Sequence, residues 1–277
     1  MASGGDLPPL CADLPSISDV QLNVKQPELP VDILLLTIED FEFLACYQQL
    51  KDPFRWYFHG LGYVYFENMD KGRKDGLKVS LMKCCSSVIG PGGSLITVRN
   101  AAKVLRPKAV ISVGTCCGLN SKKTKLGDIV VSSKLRTCAS KKVTEHQAQS
   151  SGNCYVNRHF CDVIKNCADG WKAPLKNSEA REVKVHLGEV LSGPEVFRHE
   201  SRHKQLAELY PEAVAFEMEG EGKVDALCVG KKFTLLVFVL LDWFVYTVSF
   251  FFLFLIYCVV CKGAFIVSKA APFEQKL

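Results

Sequence analysis

Residues 110–133 read VISVGTCCGLNSKKTKLGDIVVSS, the stretch that most restricts what can fold around it. An apolar, β-branched run over residues 110–113 breaks abruptly into Gly114 and Thr115, then into small residues and Gly118. That composition suits a buried parallel strand that hands its chain to a close-approach turn. A second β run, residues 128–131, follows a basic, polar loop and is introduced by Gly127. In open α/β sheets ligands lie at the carboxyl ends of the strands. The expectation is an α/β domain whose site starts at a turn over residues 114–118, with backbone amides facing the ligand and Gly114 and Thr115 as the first candidates.

The rest of the chain supplies the partners this pattern needs. Residues 31–36, VDILLL, form a continuous apolar run that ends at Thr37 and an acidic cluster, Glu39, Asp40 and Glu42. Residues 77–87 read as a strand, followed by a loop through Gly90, Gly92 and Gly93 and a helix over residues 95–105, closed before Pro107. Such a loop presents amides to an anion or a ribose. Residues 138–182 are polar, basic and weakly patterned, which predicts a loop excursion with a helix around residues 159–167. Residues 184–190 resume as a strand, and residues 213–216 form a further β run before Glu217, Met218 and Glu219. The runs at 31–36, 77–82, 110–113, 129–132, 185–191 and 213–216 are expected to share one sheet.

Composition narrows the function classes. With 277 residues, 48% hydrophobic and 23% charged, the chain can bury a full core as one large domain with appendages. The net charge of +5 is mild, and Lys122, Lys123, Lys125, Lys141 and Lys142 carry no interleaved aromatics, so no nucleic-acid groove is expected. The thirteen cysteines include adjacent pairs, Cys84-Cys85 and Cys116-Cys117, and no apolar signal segment opens the chain. Reduced thiols in a cytoplasmic domain follow. Residues 1–30, with Pro8, Pro9, Pro15, Pro27 and Pro30, read as a disordered arm.

Four segments, in order, carry a resemblance: VGTCCGL, LGDIVVS, GEVLSGPEVF from Gly188 and YPEAVAFEMEGEG from Tyr210. Together they resemble the nucleoside phosphorylase and methylthioadenosine/S-adenosylhomocysteine nucleosidase family, over residues 31–232. The resemblance implies an α/β, three-layer domain with a central twisted mixed sheet that binds a purine nucleoside or thio-nucleoside and, if active, cleaves its N-glycosidic bond. It implies a glutamate just after the first strand to activate the attacking water. Phe41 falls on that position without gaps, so the flanking Asp40 and Glu42 are the candidates; an acidic helix N-terminus is the competing reading. It places Ser87 near the sugar, Gly114 and Thr115 around the sugar and attacking group, and Val196 or Phe197 against the base. Met218 then packs beneath the ribose, Glu219 accepts from its two secondary hydroxyls, and Glu217 joins the substrate-binding set. A carboxylate there suits the chemistry, because cleavage passes through an oxocarbenium-like sugar whose positive charge it stabilises. The glycine and arginine that hold phosphate in the phosphorylases are missing near the first strand, which turns the reading away from phosphorolysis. Phosphate as a co-substrate otherwise stays open, no other cofactor and no metal is implied, and a homo-oligomer is left open.

Residues 199–203, HESRH, fit the zinc-protease pattern, but they sit in a heavily charged helix, RHESRHKQLAEL, whose apolar stripe is Leu206 and Leu209. A solvated surface helix is the expectation. Beyond Lys232 the chain changes character: residues 233–261 are almost wholly apolar, with Asp242 as the one charge, before a polar tail at 262–277. Two accounts compete. In one, residues 233–241 complete the sheet and Asp242 is the general acid that protonates the departing base, as the family spacing implies. In the other, 233–261 is a membrane span that tethers a cytoplasmic domain, leaving a noncatalytic nucleoside-binding or scaffold module. The second is preferred, since the run exceeds the roughly 20 residues that cross a bilayer and is apolar on every side. Cys258 and Cys261, in apolar surroundings, read as inert.

Overall fold

The structure, a computed structural model, describes residues 15–20, 23–69, 76–84, 91–119, 123–125, 127–137, 141–144, 147–150, 153–155, 166, 169, 172–173, 182–193, 200–217 and 233–240. Its centre is a mixed sheet that begins with β1 (Ile33–Thr37), flanked by β4 (Leu77–Lys83) on one side and β5 (Ala109–Gly118) on the other, both parallel to it. All five residues of β1 are buried, as the unbroken apolar run requires of a strand covered on both faces. Beyond β4 lie β3 (Gly62–Met69) and β2 (Phe54–Phe58), an antiparallel aromatic hairpin whose turn passes through Gly60 and Gly62, at φ 79° and 81°. Residue 24, in the N-terminal arm, forms a parallel bridge to Arg55 on the outer edge of β2.

On the far side of β5 the sheet closes on itself. β12 (Phe233–Leu240) runs parallel to β5 and antiparallel to β6 (Ile129–Thr137); β6 pairs with β10 (Val185–Ser192), and β10 with β11 (Ala213–Glu217). β11 then returns to β5, Ala215 opposite Gly118 and Phe216 opposite Cys117. The result is a ring of five strands, filled by Cys116, Val130, Leu135, Val190 and Ala215. The excursion after β6 holds a hairpin, β7 (Lys141–Thr144) with β8 (Gln147–Ser150), and β9 (Asn153–Tyr155), which pairs with β6.

Helices cover both faces. Along α2 (Pro91–Leu105), Val98, Ala101 and Leu105 recur at helical spacing and pack on Leu34, Leu36, Val64, Phe66, Met82 and Val110. Each such fully buried leucine contributes about 1.5–3 kcal/mol. On the opposite face, α1 (Asp40–Tyr47) sets the rings of Phe43 and Tyr47 on Tyr65. A third helix, α3 (Glu200–Leu209), seats Leu206 against Leu191, Ala213 and Phe216 outside the ring.

The six sequence-read strands therefore share one sheet, and two expectations change. Residues 114–118 are not a turn: β5 continues straight through them, because neighbours on both sides, β12 and β11, pair with that half of the strand. The apolar run from residue 233 does not begin as a membrane span, since its first eight residues are β12 and extend the sheet past residue 232. A strand between two others is apolar on both faces, so composition alone does not separate it from a span. No helix among the described residues is long and apolar enough to cross a membrane. Of the helix expected near 159–167 only Asn166 is described, in a turn, and the remainder of the apolar run lies outside the described residues.

Candidate active site

The parallel strands β1, β4 and β5 end on the same edge of the sheet, and there the chain spends its polar residues. β1 passes into α1 through Ile38 and Glu39, and Glu39 closes the helix with a reciprocal capping box whose other member is Glu42. Glu42 is 5% exposed. Its Oε2 accepts from the amides of Ile38 at 3.0 Å and Glu39 at 3.1 Å, while Oε1 accepts from the amide of Thr115 at 3.0 Å and faces the Thr115 hydroxyl at 3.4 Å. The two sequence readings of the acidic cluster thus meet in one residue: Glu42 caps the helix and also reaches across to β5. Asp40 points elsewhere, into an ion pair with Lys83 at the end of β4, with 59% of its side chain exposed. The Thr115 amide does not face open space but is taken by Glu42.

A second buried carboxylate stands at the end of β11. Glu217 is 3% exposed, and the register aligns it with Ser192 on β10, which is aligned in turn with Thr137 on β6. All three are buried, so a polar row crosses the carboxyl ends of β6, β10 and β11. The Cys116 thiol is pushed well above its ordinary value by burial first, then by Cys117 and by the charge of Glu217, which puts Glu217 beside β5 as well. Two carboxylates therefore flank the distal half of β5, Glu42 from the β1 side and Glu217 from the ring. Gly114 lies buried between these regions in the same strand. The sequence reading missed Thr137 and Ser192; Ser192 shows as a hydroxyl closing the apolar end of β10, whereas Thr137, in the mixed IVVSSKLRT run, carries no such signal.

Neighbouring residues serve the frame. His203 on α3 places Nε2 2.6 Å from the Gly118 carbonyl, so that nitrogen donates and ties the helix to β5. The HExxH histidine thus has a backbone partner on one ring nitrogen; His199 lies outside the described residues. Asp128, of the GDIVV segment, immediately precedes β6 and joins its start to that of β10. Its carboxylate accepts from the amides of Lys125 at 2.9 Å and Lys184 at 3.2 Å and meets His186 Nε2 at 2.8 Å. Burial alone would raise its pKa, but the His186 hydrogen bond, the two amides and the His186 charge outweigh it and hold the carboxyl below its ordinary value.

Of the sequence candidates, the structure brings Glu42, Gly114, Thr115 and Glu217 to the carboxyl ends of the strands. Ser87, Val196, Phe197, Met218, Glu219 and Asp242 lie outside the described residues. The described chain leads to the starts of those segments: β4 to Ser87, β10 to Val196 and Phe197, β11 to Met218 and Glu219, and β12 to Asp242.

The family model described as phosphorylase superfamily matches residues 67–221. A Death domain-containing ATP nucleosidase of Amphimedon queenslandica is 28% identical over 153 residues, 48% of this chain; the match spans 28% of that relative's length. Among solved structures, the 5'-methylthioadenosine/S-adenosylhomocysteine nucleosidase from Neisseria meningitidis in complex with methylthio-immucillin-A superposes with a TM-score of 0.65 at 15% identity, covering 84% of this chain and 100% of that one. Futalosine hydrolase of Helicobacter pylori gives 0.64 at 15% identity, over 85% and 100%. The S. pneumoniae nucleosidase with a transition-state inhibitor gives 0.61 at 18%, over 86% and 97%. At these identities the likeness is one of fold.

Proposed function

The chain belongs to the phosphorylase superfamily, and from that premise we propose that it is a nucleosidase, hydrolysing the N-glycosidic bond of a purine nucleoside or thio-nucleoside. The observation that carries this reading is the buried Glu42 carboxylate at the strand ends, joined to Thr115 of β5. A carboxylate there acts as general base on water, and its 3.4 Å contact with the Thr115 hydroxyl is the longest of the four described, hence the one a water most readily replaces. Water attacks C1′, the C1′–N bond breaks, and its electron pair leaves with the base. In this reading Glu217, the buried carboxylate that ends β11 beside Cys116, belongs to the substrate-binding set. In the same reading Glu219 grips the ribose hydroxyls above Met218, Phe197 or Val196 meets the base, Ser87 borders the sugar, and Asp242, following β12, is the acid for the leaving purine.

The relative's name and the inhibitor-bound neighbours support a nucleoside ligand, and a turn after β1 that carries neither glycine nor arginine supports water over phosphate as acceptor. The test is product analysis with adenosine, inosine, methylthioadenosine and ATP, each with and without phosphate. Free base and free sugar, independent of phosphate, are expected. A sugar 1-phosphate would overturn the hydrolytic assignment; binding without turnover would favour the noncatalytic alternative.

A further inference from the structure

Thr37 ends β1 with a side chain that is 0% exposed, and its Oγ1 has no hydrogen-bond partner. An orphaned buried hydroxyl is uncommon and destabilises the fold when nothing satisfies it. Its place is specific. Leu36, Met82 and Val110 belong to the core under α2, so their sequence neighbours Thr37, Lys83 and Ile111 turn to the opposite face, the one that carries α1. Register aligns Thr37 with Lys83, and continuing the β1–β5 ladder past Leu36 and Ser112 sets Thr37 level with Val113. Thr115, two residues further along a strand paired without a register break, is on that same face. Thr37 also precedes Ile38, whose amide binds Glu42.

We propose that Thr37 is a further catalytic residue, holding the attacking water together with Glu42; this deepens the hydrolytic reading above and rests on it. A buried water needs two to four polar partners. Thr37 Oγ1, Thr115 Oγ1 and Glu42 Oε1 supply three on one face, at the end of two adjacent strands. The water donates one hydrogen to Glu42 Oε1 and accepts from the Thr37 hydroxyl, which leaves a lone pair directed at C1′. As that pair forms the C1′–O bond, the C1′–N pair departs with the base, the water's proton passes to Glu42, and the base takes a proton from the acid on its own side or from solvent. The Thr37 hydroxyl gains the partner it lacks.

Thr37→Val in the full chain removes the hydroxyl at nearly constant shape, and Thr37→Ser keeps it. With the nucleoside that the wild type cleaves, the valine variant is expected to lose roughly ten- to a hundredfold in kcat, in the range for a misplaced reactant or a lost polar contact. KM stays within about twofold, Tm is equal or higher because an unsatisfied hydroxyl is gone, and Thr37→Ser recovers most of the rate. In methanol–water mixtures the valine variant should also give a larger share of methyl riboside over ribose, a partition that a purely structural role would not move. Unchanged kcat and partition in Thr37→Val, or a fall in Tm with the rate per folded molecule intact, overturns this proposal alone. A wild type that releases no base, or releases it only with formation of sugar 1-phosphate, overturns the hydrolytic reading and this proposal with it.

Discussion

Glu42 and Asp128 are both buried carboxylates that bind amides from two separate segments, yet they do different work. Asp128 joins the amino ends of β6 and β10 through contacts of 2.9 Å to Lys125, 3.2 Å to Lys184 and 2.8 Å to His186. Glu42 joins β1 to β5 at their carboxyl ends, and one of its contacts, to the Thr115 hydroxyl, is stretched to 3.4 Å. The difference teaches how one chemical device serves two purposes. Short contacts to fixed donors stabilise a joint, whereas a long contact to a rotatable hydroxyl leaves an oxygen open to exchange with a ligand or water.

The largest effect expected from this contrast is at Asp128. Asp128→Ala strands two amides and the imidazole in a dry joint and should cost on the order of 3 kcal/mol, measured by urea unfolding, with the rate per folded molecule unchanged. The sign of its pH dependence follows from the lowered carboxyl. Its contribution is fully present above the ordinary value near 3.8 and is lost as pH falls through the lower folded value. The gap between wild type and Asp128→Asn should therefore be wide at pH 7 and close progressively below about pH 4. A gap that widens on acidification would contradict the joint.

A smaller effect tests the packing of β10 against β11. A Cβ on Gly188 would lie 2.7 Å from both Cγ atoms of Val214, a stiff neighbour. Gly188→Ala should cost about 1–3 kcal/mol by overpacking; a neutral Tm shift would mean that β10 and β11 separate more easily than the ring suggests. The smallest effect belongs to Asp40, the alternative candidate to Glu42. Its pair with Lys83 is largely solvent-exposed, so Asp40→Asn should change stability by less than about 1 kcal/mol and leave the rate near wild type. A large rate loss there would move the base from Glu42 to Asp40.

Most of the frame was legible in the sequence, for identifiable reasons. Strands buried on both faces show as apolar runs, so β1, β4, β10 and β11 could be found to within two residues and the starts of β5 and β6 to within one, though both run five residues past their expected ends; α2 announced itself by its spacing and by Pro107. The strand expectations omit the β2–β3 hairpin, although its aromatic run is punctuated by Gly60 and Gly62. β12 was obscured because a central strand and a membrane span share a composition. The site was legible only as a neighbourhood. Choosing Glu42 over Asp40 required knowing which carboxylate turns inward to Thr115, and a contact spanning 73 residues leaves no trace in local pattern. Thr37 is harder still, since an orphaned hydroxyl is a property of three-dimensional surroundings.

The central claim is that Glu42 is the base of a hydrolytic nucleosidase, and its most direct test is the rate of sugar release at saturating nucleoside by wild type and Glu42→Gln, compared per folded molecule by circular dichroism. The account predicts phosphate-independent release by the wild type and a loss of about a hundredfold or more in the glutamine variant, as for a missing general base. Equal rates in the two proteins, or no sugar released by the wild type, would contradict it.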